Sequence, residues 1–232
     1  MKIVRRACAV LTLAVSCATA ALAQGGNGQL EPVLASMDKA STSFKTVQSE
    51  FKWDQYTKVV NDTETQNGTI YFRRTGHGVE MAAHLEKPDT KIVVFSDGLI
   101  RIYEPKRDVE TQINANKNRA QFESFLVLGF GGRGHDLDKS FEVQYAGTEQ
   151  VDGINTAKLV LTPKEANVKN MFSSIILWID PTRGVSVQQK FIQPSGDYRL
   201  AKYTDIKSNQ KLPDNAFKIP TTRKTTIERP QG

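Results

Sequence analysis

The chain has 232 residues, 39% of them hydrophobic, and a formal net charge of +6 at pH 7. Its length suits a single β-rich domain with a sizeable core. The modest basic surplus does not favour nucleic-acid binding, and two cysteines with three histidines leave little scope for thiol or metal chemistry.

The first 23 residues indicate a secretory signal peptide. A basic start, Met1–Arg6, precedes an apolar run that ends near Ala20, and residues 21–23 match an A-x-A cleavage site. The run is too short to span a membrane as a helix, and the residues before Cys17 make a poor lipoprotein acylation site. Because Cys8 and Cys17 both precede the cleavage site, the mature protein is predicted to contain no thiol.

The mature chain begins with helical and then strand periodicity. Apolar residues recur at helical spacing from Leu30 to Phe44, which predicts one amphipathic helix with Pro32 in its first turn. Alternation from Val47 to Trp53 then predicts a half-buried strand. Ten further strands are predicted at 66–74, 78–85, 91–96, 99–104, 109–114, 141–148, 155–162, 172–179, 185–193 and 198–208. Eleven strands with short turns favour a meander that curls into a barrel or part of one.

One face of this sheet is predicted to line an apolar cavity. Ile70 and Phe72 share a strand face, and Arg74 is the next residue on it. A guanidinium at that position must find partners, because burying an unpaired charge costs several kcal/mol. An inward arginine on an apolar face indicates a cavity that is held shut. The predicted lining consists of Phe51, Trp53, Ile70, Phe72, Met81, Val94, Ile100 and Ile102.

The break between strands at 116–136 is predicted to be a lid. Phe122, Phe125 and Leu126 share a helical face, and four glycines follow between residues 129 and 134. Long insertions in compact domains often close over a site, with glycines as the mobile part. A helix that plugs the end of a barrel core is the alternative.

Catalytic and metal chemistry find no support in the sequence. His77, His84 and His135 are predicted to be solvated, and the carboxylates form no pair with a reason for a shifted pKa. The glycines of 129–134 do not follow a strand and open a helix, so they do not form a phosphate-binding loop. The sequence predicts no catalytic residue, no metal site and no cofactor.

Several short motifs occur in a fixed order along the chain. They are Phe72-Arg73-Arg74, Lys87-Pro88, Ser96-Asp97-Gly98, Tyr103-Glu104-Pro105, Leu159-Val160-Leu161-Thr162-Pro163-Lys164 and Phe217-Lys218-Ile219-Pro220. In their order and spacing these motifs resemble the LolA family of outer-membrane lipoprotein carriers, and the resemblance covers about residues 30 to 220.

The resemblance implies an α+β fold, mainly antiparallel β, in which an incomplete barrel of about eleven strands has helices over its concave apolar face. It implies a periplasmic, monomeric carrier that takes acylated lipoproteins from an inner-membrane ABC complex to a LolB-like outer-membrane acceptor. The family's lid-closing arginine falls on Arg74. Thr75 and Tyr71 depart from the family's proline and tryptophan.

The predicted organisation is a signal peptide at 1–23, one LolA-like domain at 24–222 and a flexible basic tail at 223–232. Three alternatives to the lipoprotein carrier remain open. They are a packed core with no ligand, a carrier of free lipids, and a periplasmic regulator that senses lipids or lipoproteins. An enzyme is the least favoured class, for want of catalytic groups.

Overall fold

The computed structural model describes residues 25–86, 88–116 and 128–230. These ranges contain three helices and twelve strands. The helices are α1 (Gly25–Ser43), α2 (Leu137–Ser140) and α3 (Ala166–Met171). The strands are β1 (Thr46–Thr57), β2 (Asp62–Thr75), β3 (Gly78–Leu85), β4 (Lys91–Ser96), β5 (Leu99–Glu104), β6 (Val109–Asn114), β7 (Phe141–Val151), β8 (Ile154–Pro163), β9 (Ser174–Asp180), β10 (Val185–Ile192), β11 (Tyr198–Ser208) and β12 (Thr226–Glu228).

The strands form one open sheet in the order β12-β6-β5-β4-β3-β2-β1-β11-β10-β9-β8-β7. All neighbours are antiparallel except β12 and β6, which run parallel. The sheet does not close, since β7 and β12 are its two edges. The predicted incomplete antiparallel barrel is therefore confirmed, and the eleven predicted strands are all present.

Asp-Gly turns connect the two strands of two hairpins, as their sequences predict. Asp97 and Gly98 have φ values of 49° and 72°, and Asp152 and Gly153 have 46° and 84°. Positive φ at both central residues matches the right-handed twist of the flanking strands, which is why Asp-Gly recurs there.

Helix α1 covers one end of one sheet face, which we call the inner face. Val33, Leu34 and Met37 are at most 5% exposed and pack with residues of β7, β8 and β9 such as Leu159 and Leu177. The apolar stripe is the predicted one. The helix starts earlier than predicted, so Pro32 lies inside it, on the exposed side.

The opposite, outer face is covered at β2–β4 by the segment after β11. Leu212, Ala216, Phe217 and Ile219 of this segment pack against a cluster that contains Tyr71, Ala82 and Val94. The imidazole Nε2 of His84 also lies 2.9 Å from the carbonyl oxygen of Ala216. Sequence periodicity did not indicate this cover, because the segment is an irregular coil.

The predicted frayed tail contains a strand instead. Thr226–Glu228 pairs with β6, and the Thr226 amide donates to the Asp108 carbonyl over 3.0 Å. Nearby, the Thr225 hydroxyl donates to the Asp108 carboxylate over 2.7 Å. A strand of three residues is too short to show periodicity, and its partner strand lies more than 100 positions earlier in the chain.

Candidate functional site: the inner face of the sheet

Seven of the eight predicted lining residues do share the inner face. Phe51 pairs with Gly68, Phe72 with Met81, and Ile102 with Val93, and each pair directs its side chains to one side of the sheet. The seven residues are Phe51, Trp53, Ile70, Phe72, Met81, Ile100 and Ile102.

Val94 was assigned to the wrong face. It pairs with Ala82 and Arg101, and it packs on the outer face with Tyr71 and Ala216. Residues 92–95 are all apolar, so alternation cannot set the phase of this strand. Phe95, which pairs with Ile100, occupies the inner face here.

The inner face has two parts that differ in their cover. Over β7–β9, α1 leaves side chains such as Leu159 and Ile175 fully buried. Over β1–β6, Ile70, Met81, Val93, Ile100 and Ile102 keep part of their surface exposed. Ile113, opposite Ile100, is 38% exposed. This second part offers apolar surface to a ligand.

Phe130 fills the boundary between the two parts. Its ring is 1% exposed and stacks on Phe72, with centroids 5.3 Å apart and an interplanar angle of 18°. The ring of Tyr203 meets it edge-on at 4.8 Å. The Phe130 ring therefore covers the part of the apolar face around Phe72.

The glycines around Phe130 allow its segment to approach the sheet closely. Gly129 and Gly131 have φ values of 78° and 83°. A Cβ on Gly129 would lie 2.3 Å from the Cβ of Ser186, and one on Gly131 would lie 2.4 Å from the Phe44 ring. Side chains at either position would therefore push Phe130 away from the sheet.

Main-chain carbonyls hold the segment Leu128–Gly131, which we call the plug segment. The Ser186 amide donates to the Gly129 carbonyl over 2.9 Å. The Gln189 side-chain amide donates to the Leu128 carbonyl. The Ser41 hydroxyl, at the end of α1, donates to the Gly131 carbonyl over 2.7 Å.

Arg74 contributes a charged contact to the same segment. Its Nη2 donates to the Gly131 carbonyl over 2.9 Å, and its guanidinium carbon lies 5.4 Å from the centroid of the Phe44 ring. The side chain stays exposed rather than buried. Arg73, its neighbour, turns to the outer face, where it pairs with Glu80 and lies 4.0 Å above Phe217.

The predicted lid residues Phe122, Phe125 and Leu126 lie outside the described residues, so their role stays a prediction. The plug segment begins one residue after residues 117–127 end.

A second arginine on the inner face was not predicted. Arg199 pairs with Phe191 and Gln55, and its guanidinium carbon lies 4.1 Å from the Trp53 ring centroid. Desolvation lowers the pKa of Arg199, while burial raises the pKa of Tyr203 well above its usual range and keeps that phenol neutral. The alternation in β11, which puts residues 199, 201 and 203 on one face, could have predicted this position of Arg199 from the sequence.

His135 is exposed, as the sequence predicted, and it also connects the residues after the plug segment to α1. Its Nδ1 lies 2.7 Å from Oδ2 of Asp38, and its Nε2 lies 3.2 Å from the carboxylate of Glu31. The hydrogen bonds to Asp38 and then Glu31 raise the pKa of His135. Burial opposes the shift at Asp38, but the bonds from His135 still hold the pKa of that carboxyl below its usual value.

Two cavities of about 390 Å³ each lie at the outer face rather than over the inner one. Glu50, Lys52 and Lys202 line the first, and Asp152 borders both. The charged lining of the first cavity does not suit acyl chains.

Within the described ranges, no three histidine, cysteine or acidic side chains are placed to hold a metal ion. None of the helices in those ranges is long and apolar enough to cross a membrane.

The sequence matches the family described as "Outer membrane lipoprotein carrier protein LolA" over residues 42–220. No curated protein sequence matches the chain.

Solved structures of similar fold share little sequence with this chain. An uncharacterized conserved protein from Thermus thermophilus is 11% identical, with a TM-score of 0.54 over 87% of this chain and 99% of that one. MucB is 13% identical, with a TM-score of 0.52 over 83% of this chain and 63% of MucB. The Pseudomonas aeruginosa MucA/MucB complex is also 13% identical, with a TM-score of 0.49 over 82% and 61% of the two chains. The chain therefore spans less than two thirds of MucB, and the likeness is one of fold.

Proposed function

Because the chain belongs to the LolA family, we propose that it is a periplasmic carrier that shields the acyl chains of lipoproteins between the inner and outer membranes. The observation that carries the proposal is the partly exposed apolar face over β1–β6, next to an aromatic plug that a charged contact holds. LolA-family proteins are periplasmic, in agreement with the predicted signal peptide.

The chemistry of this face suits acyl chains. Each methylene removed from water contributes about 0.8 kcal/mol, so a cargo of two or three chains needs an extended apolar surface. Ile70, Met81 and Ile102 offer such a surface without polar groups between them.

A carrier must also release its cargo, and Phe130 supplies a competitor. If acyl chains and the Phe130 ring compete for the surface around Phe72, closure of the plug segment lowers the net affinity for cargo. The hydrogen bond from Arg74 to Gly131 favours the closed arrangement. Arg74 then acts as a latch, as the family resemblance implied.

We propose that the cargo comes from an inner-membrane ABC-type complex and passes to a LolB-like acceptor where one is present. The carrier works as a monomer in this scheme, and no nucleic acid or cofactor takes part.

Mass spectrometry of material that co-purifies with the protein from a native periplasm tests the proposal. Triacylated protein is the expected finding, while purification without any acylated material would contradict a carrier role. Displacement of a hydrophobic dye by an acylated peptide then locates the site.

Two isoleucines of similar exposure provide matched variants for the dye experiment. Ile113 lies on the inner face and is 38% exposed, whereas Ile227 lies on β12 and is 46% exposed. Ile113→Asp should weaken dye binding, and Ile227→Asp should leave it unchanged. Equal binding by the two variants would place the dye elsewhere.

A carrier of free anionic lipids is the second candidate, and Arg199 favours it. Its guanidinium lies over Trp53 on the inner face, where it can pair with a phosphate or carboxylate headgroup. Recovery of phospholipid instead of acylated protein in the same experiment would select this candidate. A regulatory role that senses lipids or lipoproteins is compatible with the same fold.

A further inference from the structure

The turn between β1 and β2 exposes two apolar side chains side by side. Val59 is 91% exposed and Val60 is 67% exposed, the highest values among the large apolar side chains of the described residues. Polar residues usually occupy such turns, so two adjacent valines at the tip indicate an apolar partner.

The turn is well ordered by its own hydrogen bonds. The Asn61 amide donates to the Lys58 carbonyl over 3.2 Å, and the Tyr56 hydroxyl donates to Oδ1 of Asn61 over 3.0 Å. The Lys58 amide donates to the Asp197 carboxylate over 2.8 Å, which ties the turn to the neighbouring hairpin. Pairing of β1 with β11 ends at Tyr56, so the valines lie beyond the end of that ladder. The two side chains are therefore presented on a fixed support.

Aromatic and basic groups lie directly behind the valines. The rings of Tyr56 and Tyr198 stack with their centroids 4.9 Å apart. The ammonium of Lys190 lies 3.8 Å above the Tyr198 ring, and Lys58 is exposed at the base of the turn. The apolar tip, the tyrosine layer and Lys190 follow one another in the order of hydrocarbon, headgroup and water at a bilayer surface, and the long side chain of Lys58 can extend to the headgroups.

The dimensions favour a lipid surface over a protein partner. Two valine side chains expose far less than the roughly 1,200 Å² that a stable protein interface buries. Val59 lies three positions along the chain from Tyr56, so at most about 10 Å separates them at the rise of an extended strand, and interfacial anchors reach a similar depth of about 5–10 Å.

We propose that the tip of the β1–β2 hairpin inserts Val59 and Val60 into the surface of a lipid bilayer. This places against the membrane the end of the sheet that carries Trp53 and Arg199, two inner-face side chains. Binding is weak and reversible, since only two side chains enter the hydrocarbon, and this suits a protein that must leave the membrane again. The acidic Asp62 and Asp197 nearby offset the lysines, so the apolar contact supplies most of the attraction.

Sedimentation with vesicles of phosphatidylethanolamine and phosphatidylglycerol in a 3:1 ratio tests this proposal. The mature chain should partition onto the vesicles, and the single variant Val59→Asp should lose at least tenfold in partition coefficient. Ile227→Asp, which adds the same charge at another exposed apolar position, should change partition less than twofold. Equal losses in the two variants would overturn the proposal, because they would reflect charge alone.

A second measurement reports on insertion directly. Val59→Trp should shift its fluorescence to shorter wavelength when vesicles are added, while Ile227→Trp should not. An unchanged Val59→Trp spectrum would overturn the proposal even if the protein sediments with vesicles. Dye binding at the inner face should be the same in all these variants, which separates membrane docking from the cargo site.

Discussion

Arg74 connects β2 to the plug segment through a charged hydrogen bond. Such bonds contribute about 1.5–3 kcal/mol each, and the exposure of this guanidinium favours the lower end. One bond of this size changes an opening equilibrium by about tenfold, which is enough to bias a plug without locking it.

Replacement of Arg74 by leucine should therefore slow cargo release. The plug segment loses its charged anchor and the inner face gains apolar surface, so cargo binds at least as well and leaves more slowly. Arg74→Lys should be intermediate, because a point charge fits the carbonyl less well than a guanidinium. Release of a fluorescent acylated peptide, followed by stopped flow, measures the effect.

Arg73→Leu is the control for that series. Arg73 lies one residue away on the outer face, where it contacts Glu80 and Phe217, so its loss removes the same charge from the opposite side. Equal release rates for the two leucine variants would rule out Arg74 as the latch.

Phe130→Ala should separate stability from binding. The ring is 1% exposed, and loss of a buried phenylalanine costs about 3–5 kcal/mol of unfolding free energy. The same change removes the competitor for the surface of Phe72, so dye affinity should rise while stability falls. Urea unfolding and dye titration on one preparation measure both.

Ile175→Ala is the matched comparison. Ile175 is fully buried beneath α1, in a core cluster that does not contain Phe130, and its truncation costs about 2–5 kcal/mol. It should lower stability without raising dye affinity. A comparable rise in affinity would mean that general loosening, not loss of Phe130, exposes the binding surface.

At the scale of elements, β12 completes the sheet at its β6 edge. It lies beside Glu110, whose side chain is 2% exposed and pairs with Arg101. The hydrogen bond from Arg101, more than the opposing effect of burial, lowers the pKa of Glu110, so this carboxylate stays ionised. The short strand thus covers an edge that holds a buried ion pair.

Truncation after residue 222 should lower the free energy of unfolding by about 1–3 kcal/mol, because it removes several hydrogen bonds worth about 0.5–1.5 kcal/mol each. Chemical denaturation of the truncated and full chains measures this. Arg229→Ala, which removes the exposed bond to Gln112 and a weak electrostatic interaction with Glu110 but leaves β12 in place, should cost less than about 0.5 kcal/mol. An unchanged midpoint after truncation would show that β12 adds nothing to stability.

At the scale of the whole molecule, α1 and the plug segment form one cover for the inner face. Ser41 joins them through Gly131, and His135, four residues after the plug segment, contacts Asp38 and Glu31 of α1. The cover bridges strands from both halves of the sheet, since Phe130 touches Phe72 of β2 and Tyr203 of β11.

These contacts predict that His135 makes a pH-dependent contribution to the stability of the folded protein. Its folded-state pKa is raised above the unfolded value near 6.5, so the stabilisation is fully present below about pH 6.5 and is lost as pH rises through the folded pKa. The lowered pKa of Asp38 adds stability that is lost in acid, as pH falls through its own folded pKa. Thermal unfolding between pH 5 and 9 should show the loss of the His135 contribution as pH rises.

His135→Gln should remove that decline above pH 6.5, and Asp38→Asn should reduce it. His77→Gln, in the turn between β2 and β3, serves as the comparison and should keep the wild-type profile. A wild-type profile for His135→Gln would mean that the contact does not contribute to stability.

The sequence by itself determined eleven of the twelve strands, the face of α1 that is buried and the side chains of β1, β2, β3 and β5 that share the inner face. Those features follow from local periodicity, because a strand repeats every two residues and a helix every 3.6. Local periodicity also predicts the position of Arg74 on the inner face, because Arg74 is in phase with Ile70 and Phe72.

Only the tertiary structure decided the face of Val94, the second inward arginine, the cover over the outer face and the strand at Thr226–Glu228. Val94 lies in a run that is apolar throughout, so its phase depends on which neighbouring strand it pairs with. The contacts of Phe130, Arg74 and His135 join residues 57 to 104 positions apart. Such contacts depend on how the sheet curls and where α1 lies, and no local repeat of the sequence encodes either.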